Sequence, residues 1–235
     1  MEKINEQVKF SDVDTVLIDV DDTIMDFERG QKKAIFSAFG KIGCACTEEQ
    51  YKDYDAINKK YWKMFERGEI EKNRLIFARF EEFFDKYGIE GDPVEMEYAY
   101  QAYLGEQYFY LDGAEEGVKY LKGKYRLYIV TNGIKHTQEN RIEKSGLIRY
   151  ADGVFISEAV GAGKPSKEYF DYVFDFTGAD RKSSVIMGDS LTSDIKGGIN
   201  AGIRTIWFNS KGLPPSDDIV PTCEIHGWDE VYKIL

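Results

Sequence analysis

Short apolar runs that stop at polar or glycine punctuation recur along the chain, at Val16 to Val20, Leu127 to Val130, Val154 to Ile156 and Val185 to Met187. Runs of this length and boundary read as buried strands. Thr205 to Phe208, shortly after Gly202, reads as a fifth, and Thr222 to Ile225, preceded by Pro221, as an edge strand. From Leu127 onward helical stretches alternate with them, over Lys135 to Ser145, Ser166 to Phe176 and Ser193 to Ala201. This alternation predicts an α/β fold: a doubly wound parallel sheet covered by helices on both faces.

Between Asp26 and Leu111 the pattern changes. No strand-like run occurs there. Four helices are expected, at about Gln31 to Phe39, Glu48 to Arg67, Arg74 to Tyr87 and Val94 to Tyr108, with breaks at Gly40, Gly68, Gly88 and Gly91–Pro93. The expected organisation is an α/β core of residues 1–25 and 112–235, interrupted after its first strand by a helical domain of residues 26–111. Tyr61, Trp62, Phe65, Phe77, Phe80, Phe83, Phe84 and Tyr87 recur at helical spacing in the insert. Such a stripe is first of all the core of a helix bundle. A few aromatic residues, Trp62 or Tyr103 among them, could instead line a pocket and stack on a flat base.

The polar residues able to carry chemistry stand at or just past the strand ends, where open parallel sheets bind ligands. The first strand runs into Asp19-Val20-Asp21-Asp22-Thr23, and the second ends in Thr131-Asn132-Gly133. The third is followed by Ser157 and then Gly163-Lys164-Pro165. The fourth ends in Gly188-Asp189-Ser190, with Asp194 a few residues on. Asp19 and Asp21, two apart at a strand end, can point to one side, and Asp189 adds a third carboxylate that repels them. An all-oxygen site of this kind suits Mg²⁺, which bridges carboxylates to phosphate. Lys164 supplies a second positive charge, Thr23 and Thr131 supply hydroxyls, and backbone N–H groups around Asn132 and Gly133 can hold phosphate oxygens. Taken singly, each stretch is a common turn. Their order and placement together point to phosphoryl chemistry.

Composition narrows the class. The net charge is −11, with no cluster of Lys or Arg, which argues against a nucleic-acid partner. No apolar stretch approaches the ~20 residues that span a bilayer. Met1 to Phe10 is polar, without a signal-peptide core, so a cytoplasmic protein is expected. Cys44, Cys46 and Cys223 are expected to be reduced and structural, and with only His136 and His226 a zinc site is not expected.

The four stretches, in this order and over nearly the full chain, resemble the motifs of the haloacid dehalogenase (HAD) superfamily. The resemblance implies a Rossmann-like core and an aspartyl-phosphate formed on Asp19. It implies that Asp21 protonates the leaving oxygen and then deprotonates the hydrolytic water. Mg²⁺ would be held by the Asp19 side chain, the Asp21 backbone carbonyl and Asp189, with Asp194 holding a metal-bound water or orienting Lys164. The superfamily's dehalogenases lack an acid at the position of Asp21, so a phosphohydrolase is implied instead. An insert between the first two motifs matches the helical C1 cap, which favours small substrates. The stretches Ile129 to Gly133, Ile156 to Glu158, Val160-Gly161 and Gly188 to Gly198 are further similar to the YjjG-like pyrimidine 5′-nucleotidases.

The sequence therefore leads to a Mg²⁺-dependent phosphomonoester hydrolase acting on a small molecule, with a pyrimidine nucleoside monophosphate as the expected substrate. A phosphatase of sugar phosphates or other small phosphomonoesters is the alternative enzyme. A non-hydrolytic phospho-receiver or binding protein is the alternative of another class. A receiver accepts phosphate after a later strand and has no acid two residues beyond the acceptor.

Overall fold

The structure, a computed structural model, describes residues 10–235. The polar stretch from Met1 lies outside the described residues apart from Phe10, and so does the corresponding part of the expected core segment. The strands are β1 (Thr15–Ile18), β2 (Arg126–Thr131), β3 (Gly153–Ile156), β4 (Ser184–Gly188), β5 (Arg204–Phe208) and β6 (Cys223–Ile225). They form one sheet in the order β3-β2-β1-β4-β5-β6, with every neighbouring pair parallel. The helices are α1 (Phe27–Lys41), α2 (Glu48–Glu66), α3 (Lys72–Tyr87), α4 (Pro93–Leu104), α5 (Ala114–Lys124), α6 (Lys135–Lys144), α7 (Ser157–Val160), α8 (Lys167–Thr177), α9 (Lys196–Ala201) and α10 (Trp228–Ile234).

The chain divides into two compact units. One holds the described residues up to Phe27 together with Tyr108–Leu235, and the other is Glu28–Gln107. In the first, successive strand residues feed opposite faces of the sheet, as the two-residue period requires. Val16, Ile18, Leu127, Ile129, Val185 and Met187 belong to one buried cluster, which also contains Val118, Leu121, Trp228 and Val231 from α5 and α10. Leu17, Tyr128, Val130 and Ile186 belong to the other, with Tyr169, Phe170 and Val173 of α8. Both faces are therefore covered, which explains why the strands read as continuous apolar runs.

Three features depart from the sequence expectation. Helices α5 and α10 were not foreseen, because α5 begins after Gly113 at φ +76° without a side-chain cap and carries glycines inside. Gly117 is one of these, and a Cβ there would come within 2.0 Å of the Trp228 ring, so α5 is read by packing against α10 rather than by propensity. The helix expected over Ser193 to Ala201 is present as α9, but its first turn belongs to a π-helical turn that starts earlier, Leu191–Ile195. Finally, the interval after β2 contains short helical turns at Leu147–Tyr150 and Ser157–Val160 beside the expected helix and strand.

The helical unit is built of α1 to α4 and cored by Tyr54, Phe80, Phe83 and Tyr100 in stacked and edge contacts. Phe80, Phe83 and Phe84 are buried, whereas Tyr61, Trp62, Phe65, Phe77, Tyr87 and Tyr103 are half-buried. A buried polar chain threads this core: Asn58 Nδ2 donates to Gln31 Oε1 at 2.8 Å, Arg79 Nη1 to Asn58 Oδ1 at 2.6 Å and Arg79 Nη2 to Glu97 Oε2 at 2.6 Å. One residue from each helix takes part, so the network fixes helix register at the expense of desolvating a charge pair. Among the described residues no helix is long and apolar enough to cross a membrane. Cys44, Cys46 and Cys223 are free thiols.

Candidate active site

The parallel register brings the carboxyl ends of the three central strands level. Ile18 lies opposite Ile129 on one side and Met187 on the other. The next residue, Asp19, donates its N–H to Met187 O at 3.0 Å and so extends the β1–β4 ladder by one bond. This lies where the strand order reverses direction along the chain, between β1 and β4, the usual place for a ligand in an open α/β sheet.

Lys164 organises the buried charges. Its Nζ donates to Asp19 Oδ1 at 2.5 Å, to Asp194 Oδ1 at 2.7 Å and to the carbonyl of Val130 at 3.0 Å. The ammonium thus uses all three protons and is fully enclosed. Burial alone would drive its proton off, but Asp19 and Asp194 outweigh that and hold Lys164 protonated above the ordinary lysine range. Carboxylate oxygens of Asp19, Asp189 and Asp194 lie within 4.8 Å of one another. Burial pushes the Asp19 carboxyl up to about 8, with Lys164 opposing and Asp194 and Asp21 adding to the rise. Asp189 is also raised, by burial and then by Asp22, Asp19 and Asp194. Three acidic groups facing one ammonium need further positive charge to stay ionised together. The all-oxygen donor set fits a hard divalent cation such as Mg²⁺.

The surrounding chain explains how the cluster is built. Asp194 sits on the π-helical turn that opens at Ser190, whose Oγ accepts from Ser193 N at 3.1 Å. Single π turns of this kind recur at functional sites because they re-aim one side chain. Asp194 Oδ2 accepts from Ser190 N at 3.1 Å, and a Cβ on Gly188 would lie 2.2 Å from Asp194 Cγ. Gly188 is therefore needed for close approach. Asp189 is anchored through its backbone, its carbonyl accepting from Trp207 Nε1 at 2.8 Å.

The other residues expected at the site are placed as follows. Thr131 is buried, and its hydroxyl oxygen accepts from Gly133 N at 3.1 Å and Gln138 Nε2 at 3.0 Å. Neither bond uses the hydroxyl proton. The Asn132 side chain grips the Lys164 backbone, accepting from its N–H at 2.9 Å and donating to its carbonyl at 2.7 Å. A Cβ on Gly133 would run into the Gln138 side chain. Thr23 is fully buried, its carbonyl accepts from Trp228 Nε1 at 2.9 Å, and its hydroxyl has no hydrogen-bond partner. The Asp21 carboxylate is not in the three-carboxylate cluster; Asp194 takes that place. Asp21 turns towards α6, where Gln138 Nε2 donates to its Oδ2 at 2.6 Å and Arg141 Nη1 pairs with its Oδ1. Asp22 adopts φ +56°, a left-handed conformation that Asp tolerates better than most residues, and pairs with Lys211 Nζ at 2.7 Å.

Gln138, Arg141 and Lys211 were not foreseen. Gln138 and Arg141 had a signal, since residues three apart share a helix face and α6 buries those two with Thr137 and Ile142. Lys211 had none, because its loop after β5 carries no motif.

A family model described as haloacid dehalogenase-like hydrolase matches residues 13–202. The chain is 39% identical to the HAD-hydrolase YfnB of Bacillus subtilis (strain 168), over 94% of each. It is 35% identical to the pyrimidine 5′-nucleotidase PynA of Streptococcus pneumoniae, again over 94% of each. It is 33% identical to the pyrimidine 5′-nucleotidase YjjG of Escherichia coli (strain K12), over 94% of this chain and 97% of that one. A solved structure of B. subtilis YfnB bound to magnesium superposes with a TM-score of 0.91 at 38% identity, covering 94% of this chain and 98% of that chain.

Proposed function

This chain belongs to the haloacid dehalogenase-like hydrolases, and on that premise we propose that it hydrolyses phosphomonoesters through an aspartyl-phosphate on Asp19, with pyrimidine nucleoside 5′-monophosphates as its substrates. The observation that carries the reading is the enclosed Lys164–Asp19–Asp194 charge cluster at the end of β1, with Asp189 beside it.

Asp19 is the nucleophile. Lys164 neutralises it and offers positive charge where negative charge builds up on the transferring phosphoryl group. Asp194 holds the Lys164 ammonium, and Asn132 holds the Lys164 backbone, so the charge is fixed before the ester arrives. Thr131 directs its unused hydroxyl proton to a phosphate oxygen. Asp21 gives a proton to the departing ester oxygen as the P–O bond breaks. It then takes one from the water that attacks phosphorus, which releases inorganic phosphate and restores the Asp19 carboxylate. Asp19, Asp189 and the backbone carbonyl of Asp21 would hold Mg²⁺, which would supply positive charge between the two anions that must meet.

The helical unit Glu28–Gln107 is proposed as the cap that selects the substrate. Its half-buried aromatic residues, Trp62 and Tyr103 among them, have ring surface available for a flat base. Two of the relatives are named as pyrimidine 5′-nucleotidases, which favours that substrate class over sugar phosphates. The test is kcat/KM for dUMP, dTMP, ribose 5-phosphate and several hexose phosphates under identical Mg²⁺. One stacking contact contributes ~1–3 kcal/mol, so the nucleotides are expected to lead by roughly tenfold to a hundredfold. Equal or higher values for the sugar phosphates eliminate the nucleotidase reading and leave a general phosphatase. No turnover of any ester removes both.

A further inference from the structure

We propose that Gln138 and Arg141 are positioning residues that fix the carboxyl group of Asp21 for proton delivery to the leaving oxygen. The inference rests on the reading of Asp21 as the acid of the reaction. Its ground is geometric. Gln138 and Arg141 are each 1% exposed, whereas the Asp21 side chain is 26% exposed. The carboxyl group is therefore gripped from the protein interior and open on its outer side. Each of its oxygens takes one inner donor, Gln138 Nε2 on Oδ2 at 2.6 Å and Arg141 Nη1 on Oδ1. A carboxyl oxygen has a second lone-pair site, so both grips leave room for the transferable proton.

The two donors are themselves fixed. Arg141 Nη1 also donates to Gln138 Oε1 at 3.0 Å, which sets the amide orientation so that Nε2 faces Asp21. That same Nε2 donates to Thr131 Oγ1 at 3.0 Å, tying the Asp21 carboxyl to the hydroxyl at the end of β2. Gly133 keeps the space open, since a Cβ there would lie 2.3 Å from Gln138 Nε2. The Arg141 guanidinium also lies 5.9 Å from the centroid of the Phe27 ring. A buried arginine and glutamine are expensive to desolvate, and a purely apolar α6 face would pack as well. Spending two such residues on one half-open carboxyl group is accounted for by orientation. The proton moves from the Asp21 carboxyl to the ester oxygen as the P–O bond breaks and Asp19 bonds to phosphorus, so charge and atoms balance within one step.

The experiment uses the full chain with Mg²⁺ and a series of substituted phenyl phosphates, from 4-nitrophenyl phosphate to unsubstituted phenyl phosphate. These esters are alike in shape and differ in how much the departing oxygen needs a proton. The quantity read is kcat/KM, which reports phosphoryl transfer to Asp19 and not the later hydrolysis of the aspartyl-phosphate. Arg141→Lys keeps the charge and Gln138→Met keeps the shape, and both are checked for wild-type folding by thermal melting. The expected result is a loss of roughly tenfold to a hundredfold for phenyl phosphate, part of the ~10²–10⁴ that general acid–base catalysis contributes, and less than about threefold for 4-nitrophenyl phosphate. Asp21→Asn should show the same selectivity more strongly. In the Asp21→Asn background the other two substitutions should add no further selectivity, because the group they position is gone. Equal losses across the series, or selectivity that adds in the double variants, overturn the positioning role. If Asp21→Asn itself shows no leaving-group selectivity, the acid reading beneath the proposal fails, and that outcome is separate from a failure of the two donors.

Discussion

The Asp19→Asn protein is expected to be folded and inactive towards every phosphomonoester that the wild type hydrolyses. Asn matches Asp in shape and can still accept from Lys164 Nζ, which lies 2.5 Å from Oδ1. It cannot form an acyl phosphate. Loss of a covalent nucleophile removes on the order of 10⁶ in rate in other enzymes that work this way. The fold should not suffer for a specific reason. Burial and the neighbouring Asp194 and Asp21 already disfavour the Asp19 carboxylate, so a neutral amide relieves repulsion in the metal-free protein. Its melting temperature without metal should equal or exceed that of the wild type. Activity within a hundredfold of wild type in purified protein would remove Asp19 from the nucleophile's role. Inactivity with a collapsed melting temperature would mean that the residue is structural first.

The sheet and the chemistry-bearing strand ends were legible because both are written in local patterns. An apolar run followed at once by charge, as at Ile18-Asp19 or Met187-Gly188-Asp189, leaves little freedom in where the charged group emerges. Three things escaped. Helices α5 and α10 hold together by mutual packing of Gly117 and Trp228, a tertiary contact between distant segments that no local window displays. The π turn at Leu191–Ile195 is set by Ser190 and by the approach of Asp194 to Gly188, where helical periodicity alone predicts an ordinary helix. The direction of Asp21 was also illegible. Two residues apart at a strand end suggests one shared side, but the regular strand stops at Ile18, so alternation no longer fixes where the Asp21 carboxyl group lies. The Asp21 carboxyl group is held by Gln138 and Arg141, and it is Asp194 that joins Asp19 and Asp189. Sequence spacing counts residues along a regular element, and it loses its meaning one or two residues past the element's end.

Chelation should abolish turnover reversibly, and the metal should reveal itself in stability as well as in activity. Asp19, Asp189 and Asp194 crowd their oxygens within 4.8 Å, against the single ammonium of Lys164. With the carboxyl of Asp19 raised to about 8 and that of Asp189 raised as well, the metal-free protein at neutral pH binds protons that its unfolded chain has released. Its stability therefore falls as pH rises from the ordinary carboxylate range towards 8, since the unfolded state binds fewer protons over that interval. A divalent cation binds the deprotonated form, so it competes with those protons and binds more tightly as pH rises. Mg²⁺ at a hundredfold excess over its Kd adds ~2.7 kcal/mol, a melting shift of about 5–10 °C for a protein of this size. The shift at a fixed Mg²⁺ concentration should be larger at pH 8 than at pH 6. Loss of a charge-stabilising metal removes several kcal/mol from the transition state, so activity should fall by roughly a thousandfold or more after EDTA and return with Mg²⁺. Asp189→Ala should raise the Mg²⁺ concentration needed for half-maximal activity, shrink the melting shift, and leave the metal-free protein as stable as the wild type or more so. Full activity after exhaustive chelation, or a melting shift that Asp189→Ala leaves untouched, would mean that the carboxylate cluster does not hold the cation.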